Sequence, residues 1–588
     1  MRAVSSAVER LVYTERVGGS IPSLPTRYKF KAVGAHFVQT VASLLKKTLD
    51  RPALVFCALF CLMITGLGLR PFSTPDEGRY VEIPREMVAS GEWVVPHLNG
   101  LPYFEKPPLV YWIQACALKC FGASPFAMRL PLVWVAFLGC LLVYAFVRAH
   151  QGQRAALLSA MILGLSPLYF YLSRFLILDL FLSVFMMAAF LSFFMTTRNP
   201  RPIYFILYGV FLGLAVLTKG LVGLILPGSV ILAWVVLERR WAMFYLAFHP
   251  LALLSFMIVA VPWHLWVHMR NPHFGWFYFV HEHFLRYTTS VHSRFQPWWF
   301  FIPVIILGFF PWIAWGRAIV ERYKGVSFNP DLRRFLWVWI VVVASFFSLS
   351  QSKLIPYILP IFPPLAMLTG AYLAVQLEKP EQVRELGAPW IYGVLCCTLG
   401  VGIWVARYFD VIQVTGGLDA NQRLTILLGV LGAAFLIQGI WILWRRPKRR
   451  ALLAGVFGFQ VIFLGFLIVI DPLVQRYRSC EELAHLMNAQ NPKATVVVFG
   501  FYPQDLPVYM GRTVKILAYE GELFFGHEIS PGNGVMMTPD RFRERVKQKG
   551  VFVVMLARDL DLFRERFSDM MCTLGVFYDH APYVVFKG

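Results

Sequence analysis

Thirteen apolar stretches follow one another along this chain, at 52–70, 128–149, 155–174, 177–197, 203–218, 221–237, 244–266, 298–316, 335–350, 354–377, 390–406, 424–444 and 451–470. Each approaches the ~20 residues that a helix needs to cross a bilayer. That leaves little freedom of fold, because a backbone in hydrocarbon must satisfy its own N–H and C=O groups, which such stretches do as helices. The composition agrees: 58% hydrophobic and only 15% charged residues, with a mean hydropathy of +0.59, are too apolar for a soluble globular protein. The chain reads as a mainly α polytopic membrane protein. A shorter apolar segment, Leu109 to Gly122, opens with Pro107-Pro108 and predicts an interfacial or re-entrant helix.

Lys and Arg in short loops set orientation, since cytoplasmic loops retain positive charge. With a cytoplasmic N-terminus and thirteen alternating spans, the inside ends carry Lys46-Lys47, Arg148 and Arg154, Arg198 and Arg201, Arg239-Arg240, the 317–334 loop and the basic run 445–450. The net charge of +22 is thus accounted for by topology and anionic lipid surfaces, and nucleic-acid binding is not needed to explain it. Residues 1–51 lack a secretory apolar core and are expected to be a cytoplasmic leader ahead of a transmembrane domain over 52–472. After 472 the charges balance and short β-rich runs (Thr495–Phe499, Val514–Leu517, Val551–Leu556, Tyr583–Phe586) alternate with charged helical patterns at 540–548 and 558–569. This predicts a small α/β domain over 473–588 on the outer side. The nine cysteines show no zinc spacing. Cys480 and Cys572 share the outer domain and either pair or remain two buried thiols.

The first outer loop, within 71–127, contains Asp76, Glu77, Arg79, Tyr80, Tyr103, Glu105 and Lys106 directly after a span. Ionisable groups beside a membrane cost free energy unless they line water or a partner, so a dense cluster points to a polar site. The same topology brings Arg174, Asp179, Lys219, the 267–297 loop with His281, Glu282, His283 and Arg286, and Lys353 with Tyr357 to the outer face. Acids with several cations around an apolar, aromatic wall suit a phosphate carried on a lipid. Each piece has a plainer reading: Lys219 and Lys353 as snorkelling side chains, the tryptophans as an aromatic belt, the histidines as solvated loop residues.

The strings Asp76-Glu77-x-Arg79-Tyr80-x-Glu82-Ile83-Pro84-Arg85-Glu86-Met87, Gly91-Glu92-Trp93-Val94-Val95-Pro96-His97-Leu98 and Tyr103-Phe104-Glu105-Lys106-Pro107-Pro108 resemble the bacterial aminoarabinose transferases. These are relatives of the protein O-mannosyltransferases within the GT-C class of membrane glycosyltransferases. Protein mannosyltransferases usually show His-Pro-Pro where this chain has Lys106-Pro107-Pro108, and a cation there is better suited to an anionic acceptor. The resemblance implies a GT-C fold and transfer of 4-amino-4-deoxy-L-arabinose from undecaprenyl phosphate to a lipid A phosphate. It places that reaction at the periplasmic face of a bacterial inner membrane, by a monomer, and implies resistance to polymyxin and other cationic peptides.

A phosphate acceptor is already anionic at neutral pH, so Asp76 is expected to orient substrate or stabilise oxocarbenium charge rather than to act as an obligatory base. Asp179 and Glu105 join it as candidate catalytic acids. Arg79, Lys106, Lys219, Arg286 and Lys353, with Tyr80, Tyr103 and Tyr357 as hydrogen-bonding partners, are the candidates for binding substrate and stabilising the departing phosphate. Single-step attack predicts inversion. No cofactor is required by this chemistry; Glu105 with His281 or His283 is a candidate holder of a divalent cation, hydrogen bonding within the loop being the alternative. Another lipid-linked sugar transferase shares almost every feature. A transporter is disfavoured because it would place charges at both faces and at mid-membrane, often with internal repeats.

Overall fold

The computed structural model describes residues 50–285, 295–321, 329–378, 387–409, 417–475, 478–519, 521–548, 550–580 and 582–588. Most of the expected leader, together with Arg286, lies outside the described residues, as does the side chain of His283. Among the described residues nine helices are long and apolar enough to cross a membrane. They become ten when Trp298–Gly308 and Trp312–Glu321, bent by 105°, count as one span. The remaining three expected spans fall on shorter apolar helices, α1 (Pro52–Ile64), α5 (Gln153–Leu165) and Val222–Glu238. Helix-breaking residues explain the shortening. Helix α1 gives way to turns around Gly66, whose φ of +68° favours glycine, and α5 stops at Ser166 before Pro167, which cannot donate to the preceding turn.

Between α1 and the next span the chain builds the platform of the site. Helix α2 (Asp76–Ser90) begins with two acids in its first turn, where they favour the positive end of the helix dipole, and ends at Gly91 in the left-handed region. The short strands β1 (His97–Leu98) and β2 (Leu101–Pro102) pair across Asn99-Gly100, both at positive φ, as a tight hairpin requires. Helix α3 (Leu109–Phe121) is the segment expected to be interfacial; at 13 residues it is too short to span, and it packs on α2. Helix α4 (Pro125–Gln151) starts with Pro125 at its first position and Ser124 accepting the Ala127 N–H at 3.2 Å. Helices α6 (Asp179–Arg198) and α7 (Pro202–Lys219) then run antiparallel, so Asp179 and Lys219 sit at the same end of the bundle.

Aromatic rings fill the bundle core, as between Phe190 and Trp339, whose centroids are 4.4 Å apart. Elsewhere small residues allow close approach: Gly400 in Ala388–Tyr408 lies against Gly432 and Leu436 of Gly417–Arg445, and a Cβ there would meet Leu436 Cγ at 2.7 Å.

The C-terminal region forms a six-stranded mixed sheet. In sheet order its strands are β5 (Met536–Met537), β4 (Lys515–Leu517), β3 (Thr495–Phe499), β6 (Val551–Leu556), β8 (Tyr583–Lys587) and β7 (Gly575–His580). The first four are parallel, while β8 and β7 run antiparallel to their neighbours. All four expected strand runs are present, with β5 and β7 in addition. Cys480 is buried and Cys572 exposed, and both are free, so they form no disulfide.

The sheet region docks on α2. Gly78 lies so close to Gln504 and Asp505 that an added Cβ would collide with their backbone, which explains the glycine in an otherwise helical stretch. Asn99 seals the contact by exchanging two hydrogen bonds with the Val514 backbone, at 2.8 and 2.9 Å.

Candidate active site

One face of α2 is polar and points into a cavity of about 660 Å³ enclosed by α2, the 105–106 turn, the start of α6, the end of α7, the 276–282 segment and the C-terminal region. Asp76, Arg79, Tyr80, Glu105, Lys106, Asp179, Lys219, His281 and Tyr357 all line it. Residues from six separate stretches of sequence thus converge. Among the described residues six acidic side chains, those of Asp76, Glu105, Asp179, Glu282, Glu522 and Glu528, face three cations, Arg79, Lys106 and Lys219.

The cations are held by the acids. Lys219 Nζ donates to Asp179 Oδ1 at 2.6 Å and stands 4.3 Å from the ring centroid of Tyr357. Arg79 meets Glu522 at 2.7 Å and Asp76 at 3.4 Å. Lys106 donates to the Glu105 carbonyl at 2.8 Å and lies 3.4 Å from Glu282 Oε2. Burial raises the phenols of Tyr80 and Tyr103 above their ordinary range, which keeps them as neutral hydrogen-bond donors. Tyr103 uses its hydroxyl on Glu522 at 3.4 Å. Glu522 is itself raised, because burial outweighs the opposing charge of Arg79.

Asp76 and Glu77, adjacent in sequence, are separated by the helix. Asp76 faces the cavity, whereas Glu77 is fully buried behind it. Burial pushes the Glu77 carboxyl up, but Arg129 and Arg70 outweigh it and hold the group at about 2. Arg129 donates to it at 2.8 and 2.9 Å.

One expectation is corrected. Lys353 does not reach the cavity: its ammonium is consumed by the carbonyls of Ser350 and Gln296, at 2.6 and 2.8 Å, so it closes a turn. Among the described residues no group of three His, Cys, Asp or Glu side chains is placed to hold a metal. Instead Lys106 lies between Glu105 and Glu282, and His281 Nδ1 is 3.4 Å from Glu282 Oε1. Glu105 and His281 are thus engaged by Lys106 and Glu282, the His283 side chain lies outside the described residues, and no step below is routed through a metal. Arg286 falls outside the described residues.

Sequence reasoning missed the wall contributed by the C-terminal region, namely Gln504, Tyr519, Glu522 and Glu528. Gln504 exchanges hydrogen bonds with Thr74 at 3.1 Å and donates to Glu522, joining positions 430 residues apart. No local pattern marks Gly521-Glu522 as part of a site.

Comparison with known proteins places this geometry. Residues 53–279 match the family profile described as dolichyl-phosphate-mannose-protein mannosyltransferase. An undecaprenyl phosphate-alpha-4-amino-4-deoxy-L-arabinose arabinosyl transferase of Aeromonas hydrophila is 35% identical over 359 residues, 59% of this chain and 65% of that protein. The protein of the same name from Pectobacterium atrosepticum is 32% identical over 390 residues, 64% of this chain and 68% of that one. The chain belongs to this aminoarabinose transferase family. It spans 65% and 63% of the length of the two Aeromonas relatives it matches. A crystal structure of ArnT from Cupriavidus metallidurans bound to undecaprenyl phosphate superposes with a TM-score of 0.78 at 25% identity, covering 91% of this chain and 97% of that one. Membership gives the fold its class: a multi-pass GT-C architecture carrying a small C-terminal sheet region, with Asp76 and Arg79 of the first-loop helix α2 lining the cavity.

Proposed function

We propose that this protein is an inverting glycosyltransferase that moves 4-amino-4-deoxy-L-arabinose from undecaprenyl phosphate to a phosphate of lipid A. It works as a monomer in a bacterial inner membrane with its cavity open to the periplasm, and its product lowers surface charge and so confers resistance to polymyxin and cationic peptides. The observation that carries this reading is the convergence of Arg79, Lys106 and Lys219 with Asp76 and Asp179 on one cavity at one end of an apolar bundle. The surplus of carboxylates there suits a sugar bearing an ammonium group.

In this mechanism a lipid A phosphate oxygen attacks the anomeric carbon as the bond from that carbon to the undecaprenyl phosphate oxygen breaks, inverting the centre. The acceptor needs no base. Asp76, 46% exposed on the cavity face of α2, orients the substrate and stabilises positive charge developing on the sugar. Arg79, Lys106 and Lys219 stabilise the charge arriving on the departing phosphate, and Tyr80, Tyr103 and Tyr357 orient substrate oxygens. Each cation already has a carboxylate partner, so donor phosphate exchanges with a preformed contact and little reorganisation is needed.

Purified protein, incubated with undecaprenyl phosphate-aminoarabinose and lipid A, tests the proposal. Aminoarabinose appearing on lipid A phosphate is the expected result. Transfer only to a hydroxyl-bearing protein, or of a different sugar only, would favour the broader reading as another polyprenyl-phosphate sugar transferase.

A further inference from the structure

Glu77 has no part in the chemistry above, yet it is the most heavily bonded carboxylate near the site. It is fully buried and accepts hydrogen bonds from Arg70, from Arg129, from the backbone of Ser73 at 3.2 Å and from the backbone N–H of Leu176 at 3.0 Å. The last of these spans 99 residues of sequence. Leu176 opens the short run Leu176-Ile177-Leu178 that ends at Asp179, the first residue of α6. Asp76 is the immediate neighbour of Glu77. One carboxylate therefore ties together the two segments that deliver Asp76 and Asp179 to the cavity, and Arg70 reinforces the tie by donating to the Arg174 carbonyl at 2.7 Å.

We infer that Glu77 is a positioning residue that sets the spacing of Asp76 and Asp179 across the sugar, resting on the proposed transferase reading. Charge neutralisation alone would not require the Leu176 bond. The two guanidiniums are already paired with Glu77, and Arg70 is paired as well with Asp471 at 2.7 Å. The Leu176 bond differs in what it joins: the Ser73 N–H lies just before α2, and Arg129 is held by the carbonyls of Leu67, Arg70 and Pro71, whereas the Leu176 amide belongs to the segment leading into α6.

Two variants separate reach from charge. Glu77→Asp keeps the charge but withdraws the carboxylate by on the order of 1 Å, which takes the Leu176 contact out of hydrogen-bonding range. Glu77→Gln keeps the reach, and its amide oxygen still accepts from Leu176, but the charge is lost. The full-length protein in nanodiscs is assayed for transfer, donor KM and thermal midpoint. If Glu77 positions the acids, Glu77→Asp loses kcat by on the order of 100-fold, as a displacement of about 1 Å can cause. Its donor KM changes by much less than its kcat, because Lys106 and Lys219 are carried on other segments of backbone, and its kcat falls below that of Glu77→Gln. A folded Glu77→Asp with kcat within about twofold of wild type overturns the inference, as does a kcat for Glu77→Asp above that for Glu77→Gln. If neither variant folds, Glu77 is a structural anchor only, which also overturns it. Wild type measured alongside keeps the two readings apart. Absence of wild-type transfer refutes the proposed function, whereas wild-type transfer with the reverse order of variants refutes the role of Glu77 alone.

Discussion

Replacing Lys219 by Met removes one ammonium while keeping most of the apolar stem. Lys219 is bonded to Asp179 at 2.6 Å with side chains only 16% and 11% exposed, and it packs over Tyr357. At an effective dielectric of about 20 the gross attraction at that distance is roughly 6 kcal/mol, of which desolvation leaves about 1.5–3 kcal/mol as the net worth of a charge-assisted hydrogen bond. A double-mutant cycle with Asp179→Asn is expected to return a coupling of that size in thermal unfolding. The catalytic effect is separable. Loss of one preorganised cation facing a departing phosphate costs about 2.7–4 kcal/mol of transition-state stabilisation, or 10²- to 10³-fold in kcat. The assay is initial-rate transfer by purified protein in nanodiscs with saturating lipid A, beside Lys219→Arg, which keeps the charge and is expected to retain more activity. If Lys219→Met transfers sugar within about threefold of wild type, Lys219 is a snorkelling residue with a structural role, and the electrostatic assignment fails.

Lys353→Met is expected to leave kcat within about threefold of wild type while lowering stability by about 1–3 kcal/mol, since it orphans two carbonyls outside the cavity; a large loss of kcat at unchanged stability would return Lys353 to the site. Asp505, buried where the sheet region meets α2, has its carboxyl raised to about 6 by burial, against hydrogen bonds led by that from the Cys480 N–H. Between an unfolded value of about 4 and the folded one, the folded chain holds a proton that the unfolded chain has released, so this group's contribution to stability falls as pH rises from about 4 to 6. The Asp505→Asn variant is expected to show a flatter thermal midpoint across that window in detergent, and an unchanged slope would contradict the assignment. Because Lys106 already supplies a cation between Glu105 and Glu282, transfer is expected to survive exhaustive chelation; loss of activity with recovery on adding a divalent ion would reinstate a metal.

The bundle was legible because its apolar runs are long, and Asp76, Arg79, Lys106, Asp179 and Lys219 were legible because charge beside a span has few structural uses. Helix ends were less so, since Ser166-Pro167 and Gly66 interrupt stretches that hydropathy alone reads as continuous. Lys353 looks like Lys219 in sequence, each a cation beside a span. What separates them is whether carbonyls or a carboxylate wait at the end of the side chain, which only the folded chain decides. Glu77 and Asp76 are likewise indistinguishable in sequence, and the 100° step of a helix sends one into the core and the other into the cavity. Glu522 and Gln504 had no local signal because their role arises from a sheet region docking on α2 from more than 400 residues away.

Mass spectrometry of lipid A from cells expressing wild type, Asp76→Ala or Lys106→Ala tests the central claim most directly. Wild type is predicted to add the mass of aminoarabinose to lipid A, and both variants, present in the membrane at wild-type levels, are predicted to lose it. Retention of the added mass in Asp76→Ala, or its absence in wild type supplied with donor, would contradict the account.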